Sequence, residues 1–61
     1  MNFEEYETRR HSAEALFMIA KNRAYESLND RDIEQAHKHI VLAQGYLDRL
    51  KELEIEYGKT R

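Results

Sequence analysis

Apolar residues recur along this chain at spacings of three and four, and they never alternate with polar ones over a useful length. That period marks one face of an α-helix and argues against strands. In the first half, Phe3, Arg10, Phe17 and Ala24 interleave with Tyr6, Ala13, Ala20 and Ser27. In the second half, Ile33, Ile40, Leu47 and Glu54 interleave with Ala36, Ala43, Leu50 and Tyr57. Both are the paired series of a coiled-coil-like seam.

The run SLNDRD, Ser27 to Asp32, interrupts the pattern. Asn and Asp side chains bond locally to the backbone, which ends one helix and caps the next. Asp32 with Gln35 three residues on has the form of a capping box, and Asp30, Asp32 and Glu34 suit the positive end of a helix dipole. Gly58 has the character of a residue just past a helix end, with Lys59 and Arg61 beyond it. The pattern predicts one all-α domain over residues 1–61, an antiparallel two-helix hairpin. Its helices are expected over about 2–28 and about 31–57, with the turn at 29–31. Folding back at residue 30 pairs Phe17 with Ala43, Ala20 with Ile40, Ala13 with Leu47 and Ala24 with Ala36. Large then faces small in three successive layers. Arg10 and Glu54 fall near the open end beside Tyr6, where a polar contact is expected.

One seam does not use all the apolar residues. In AEALFMIA, Ala13 to Ala20, seven of eight residues are apolar. At about 100° per residue, Ala13, Leu16, Phe17 and Ala20 serve the seam while Ala15, Met18 and Ile19 point elsewhere. His39, Leu42, Tyr46, Leu50, Leu53 and Tyr57 form a further stripe on the second helix. A hairpin has one seam, so a surplus stripe implies a partner, and the simplest is a second copy in a four-helix bundle. The expected dimer interface comprises Leu16, Met18, Ile19, His39, Leu42, Tyr46, Leu50, Leu53 and Tyr57.

Size and composition point the same way. A chain of 61 residues makes a marginal monomer. It has no cysteine for a disulfide or thiolate zinc site, which leaves oligomerisation as the usual remedy. Proline is absent and Ala, Leu, Glu, Lys, Arg and Gln dominate, all good helix formers. The net charge of −2, from twelve acids and ten bases, neither requires nor forbids a nucleic-acid partner. The opening MNFEEYE is acidic where a secretion signal would be basic, and no apolar run approaches the roughly 20 residues that cross a bilayer. A cytoplasmic protein of bacterial or phage origin is the expectation.

Candidate chemistry is sparse. His37 and His39 lie about 200° apart on a helix and cannot chelate one ion. The acids of DRDIE lack the glycine and the terminal Glu of a calcium loop. Ser12 and Ser27 have no nucleophile elbow, and no glycine loop cradles a phosphate. No enzyme activity, cofactor, metal or small-molecule substrate is expected.

Two resemblances carry function. QGYLDRL, Gln44 to Leu50, resembles the S-Q-E-L-D signature of the small helical-hairpin aspartyl-phosphate phosphatases of spore-forming bacteria. Leu47 and Asp48 match it, which would make Asp48 the functional acid. Gln44 replaces the serine, and Gly45 and Tyr46 also depart. The alanine-rich hairpin is similar in architecture to the Rop-type plasmid copy-control proteins, four-helix dimers that grip RNA loops. That similarity implies RNA binding, but no binding residue carries over from that family; the basic and polar surface of helix 1 itself supplies the candidate contacts Arg9, Arg10, Lys21, Asn22 and Arg23, with His11 adding a hydrogen bond. The leading expectation is a homodimeric interaction or regulatory protein that binds another macromolecule through helix surfaces. RNA binding stands second and the phosphatase third.

Overall fold

In a computed structural model, which describes residues 1–60, the chain is two long helices and a turn. Helix α1 spans Phe3–Asn29 and α2 spans Ile33–Thr60. The described residues contain no strand, and 92% are helical. Asn2 caps α1: its Oδ1 accepts the Glu5 N–H at 2.8 Å, and Glu4 and Glu5 occupy the first turn, where the helix dipole favours acids. Asp32 caps α2 in the same way, its Oδ1 accepting the Gln35 N–H at 3.2 Å.

The turn is the local device that builds the hairpin. The Arg31 N–H donates to the Leu28 carbonyl at 3.0 Å, and the Asp32 N–H donates to the Ser27 carbonyl at 2.8 Å. This pair of bonds is the Schellman closure of a helix C-terminus, and it requires its penultimate residue in the left-handed region. Arg31 occupies that position with φ of 60°. Asp32 therefore completes the end of α1 with its backbone and starts α2 with its side chain. Its N–H is used by Ser27, so the reciprocal half of a capping box does not form.

The register follows from the open end. Tyr6 and Tyr57 stack with ring centroids 4.4 Å apart, and Phe3 lies against Tyr57 at 6.3 Å. Carried inward, this register sets Arg10 level with Leu53, Ala13 with Leu50, and Phe17 with Tyr46. Ala20 is then level with Ala43, Ala24 with His39, and Ser27 with Ala36. All fourteen of these positions are buried or half-buried. The core is thin. Its buried residues are Ala13, Ala20, Ala24, Ala36, Ala43 and Leu53, and no large side chain is fully enclosed. The molecule is a rod 45 × 15 × 9 Å with a radius of gyration of 14.0 Å. A compact chain of this length would have about 10.5 Å.

Three expectations are corrected. The pivot lies between Arg31 and Asp32, not at residue 30, because residues 30–32 all serve the closure. Every cross-helix pairing consequently shifts by about three residues, so Phe17 is level with Tyr46 and Ala43 with Ala20. Second, Gly58 sits inside α2, which runs on to Thr60. Its φ is not positive and nothing lies within 4 Å of where a side chain would start, so no turn calls on its freedom. Arg61 lies outside the described residues. Third, Arg10 does not reach Glu54. Its guanidinium is held within α1 by Glu7 and Glu14, at 2.8 and 2.7 Å.

Candidate interaction surfaces

The three-residue shift decides which stripe of α2 is core. His39, Tyr46, Leu50, Leu53 and Tyr57, expected in a dimer interface, are buried or half-buried between α1 and α2. Ile33, Ile40 and Leu47, expected in the seam, are instead exposed at 67%, 40% and 47%. Met18, Ile19 and Leu42 are exposed away from the seam, and so is Leu16, which was expected to serve the seam as well as the dimer interface. The hairpin therefore presents apolar side chains on both broad faces.

Helical geometry sorts these into two strips, one on each side of the seam. On the first face, α1 contributes Glu7, Glu14, Lys21 and Leu28, and α2 contributes Ile33, Ile40, Leu47 and Glu54. A groove near its open end is lined by Tyr6, Arg10, Leu47 and Glu54 among others. On the second face, α1 contributes Arg9, Leu16 and Arg23, and α2 contributes Gln35, Leu42, Arg49 and Glu56. A groove there is lined by Arg9, Leu16, Arg49, Leu53 and Glu56 among others.

Electrostatics differ between the faces. On the first, Glu7 takes hydrogen bonds from Arg10 Nε and Nη2 at 2.8–3.2 Å, and His11 Nε2 lies 3.3 Å from the same carboxylate. The Arg10 hydrogen bonds, with smaller contributions from its charge and from His11, hold the Glu7 carboxyl below the usual carboxylate range. The same bonds push Arg10 up. On the second face, Arg9, Arg23 and Arg49 form no ion pair among the described residues.

The five residues expected to bind RNA are not brought together. Arg9 and Arg23 flank one side of the seam, Arg10 and Lys21 the other, and Asn22 is exposed beyond both. The signal that the sequence reading missed is that Arg49 of α2 joins Arg9 along one groove. Asp48 is exposed beside Lys51 and Glu54. Among the described residues no three His, Cys, Asp or Glu side chains cluster as metal ligands, and His37 and His39 are split between solvent and seam. No helix is long and apolar enough to cross a membrane. No known protein family, curated protein or solved structure matches the chain.

Proposed function

We propose that this protein works as a homodimeric four-helix bundle, a small non-enzymatic interaction protein that binds another macromolecule through its helix surfaces. One observation carries the self-association. The hairpin exposes 4905 Å², whereas a compact monomer of 7.3 kDa exposes about 4,200 Å². The excess of about 700 Å² approaches the roughly 800 Å² that each partner buries in an interface of standard size. A core of five alanines and one leucine gives little apolar burial to offset the ordering of two long helices. A second layer of helices supplies it.

Sedimentation equilibrium tests this reading directly. A dimer mass at micromolar concentration, with a Tm that rises with concentration, is expected because folding and association are linked. A monomer mass with intact helicity at high concentration would refute it.

RNA is the second reading for the macromolecular partner, favoured by the shared flank of the unpaired Arg9, Arg23 and Arg49. Binding to a structured RNA should then weaken steeply with salt as counterions are released. Affinity independent of salt would exclude that reading and leave a protein partner. The phosphatase reading rests on Asp48 alone, and its test is loss of aspartyl-phosphate hydrolysis in Asp48→Ala.

A further inference from the structure

Two copies could meet through either broad face, and the two faces differ in what a two-fold axis would do with their charges. We infer that the self-interface is the face bearing Leu28, Ile33, Ile40 and Leu47, and that the face bearing Arg9, Arg23 and Arg49 stays open to solvent and partners. This inference rests on the proposed dimer and assigns its surface.

Apolar content favours the first face. Ile33, Ile40 and Leu47 repeat every seven residues on α2, parallel to the seam and next to it. Such a ladder is the form that lets helices pack side by side over several turns. Leu28 continues it across the turn. The opposite strip offers Leu16 and Leu42, separated along each helix by arginine or polar residues.

Charge points the same way. A two-fold interface lays each patch on its own copy. Pairing the second face with itself would set Arg9, Arg23 and Arg49 of each copy against their own images, with Glu52 and Glu56 beside the groove to offset only part of that charge. Among the described residues none of the three arginines forms an ion pair within its own chain. Like charges placed in apposition oppose association. The first face carries both signs: Lys21 and Arg10 lie among Glu7, Glu14 and Glu54. Two of those acids are already held by Arg10 at hydrogen-bond distance. That set can pair with itself.

Cysteine labelling and sedimentation together test the assignment. The chain contains no cysteine, so a single introduced thiol is unique. In Ile40→Cys and Leu42→Cys, reaction with a maleimide is followed at concentrations above and below association. The Ile40→Cys thiol should be protected tenfold or more on association, while the Leu42→Cys thiol should react at an unchanged rate. Ile40→Glu should shift the sedimenting species to monomer mass, and Leu42→Glu should stay dimeric. A dimeric wild type with the protection pattern reversed would overturn the face assignment while leaving the dimer standing. Equal protection at both thiols would also overturn it. A wild type that sediments as a monomer would remove the dimer itself, and the assignment with it.

Discussion

Arg31 sits where a glycine would be expected, and the cost of that choice is measurable. Its φ of 60° places it in the left-handed region, where a side chain crowds the following carbonyl at a cost of about 1–2 kcal/mol. Glycine avoids this crowding but loses more backbone freedom on folding, worth about 0.5–1 kcal/mol. Arg31 is exposed and forms no ion pair among the described residues, so little else is lost with its side chain. The appropriate comparison is between Arg31→Gly and Arg31→Ala, since both remove the same charge near the end of α1. The glycine variant should be the more stable by about 0.5–1 kcal/mol per chain. For a domain of this size that corresponds to about 2–8 °C in Tm. Circular dichroism melts at one fixed protein concentration would read the difference. Arg31→Pro sharpens the test, because proline fixes φ near −65° and removes the N–H that Leu28 accepts; a loss of about 3 kcal/mol is expected. If the alanine and glycine variants melted together, Arg31 would not hold the left-handed position and the closure described above would be wrong.

Other perturbations probe the seam and caps. Ala43→Leu, level with Ala20 where both residues are buried, should cost about 1–3 kcal/mol by overpacking, read as a lowered urea midpoint. Asp32→Ala should cost about 1 kcal/mol by leaving the Gln35 N–H without its cap, again by denaturant titration. Tyr57→Leu should lose about 0.5–1.5 kcal/mol beyond burial, because the stack with Tyr6 disappears. Glu7 is ionised more readily in the folded chain than in the unfolded one, so its contribution is present above the unfolded carboxylate value and disappears as pH falls through the lower folded one. Glu7→Gln should remove that acid-side slope in a pH titration of helicity, and added salt should flatten it in the wild type.

The helices themselves were readable because their signals are local. Asp32 announces its cap, and the alanine series Ala13, Ala20 and Ala24 marks the buried side of α1 through a period that only a helix satisfies. The pairing was not readable for a reason particular to α2. Its series Ile33, Ile40, Leu47 and its series His39, Tyr46, Leu53 both carry large apolar or amphipathic side chains, about 100° apart round the helix. A displacement of three residues at the turn exchanges one for the other. That displacement hangs on which residue turns left-handed. The repeat alone folds back at residue 30, whereas the hydrogen bonds to the Ser27 and Leu28 carbonyls select Arg31. Arg10 shows the same preference for near partners. Glu54 lies across the groove, but Glu7 and Glu14 lie one turn away on the same helix and hold the guanidinium first.

The layers are graded in size along the rod, and this bears on how the chain finds its fold. Near the turn, where closing the chain costs least entropy, the seam offers Ser27 with Ala36 and Ala20 with Ala43. These small pairs give little stabilisation when they dock. The bulky layers, Phe17 with Tyr46 and Tyr6 with Tyr57, come only after progressively longer stretches have been ordered, although each doubling of loop length adds only about 0.6 kcal/mol. Zipping outward from the turn is therefore uphill at first. Substitutions at Phe17 and Tyr46 are then expected to slow folding, and those at Tyr6 and Tyr57 chiefly to speed unfolding, as stopped-flow kinetics at one fixed protein concentration would read.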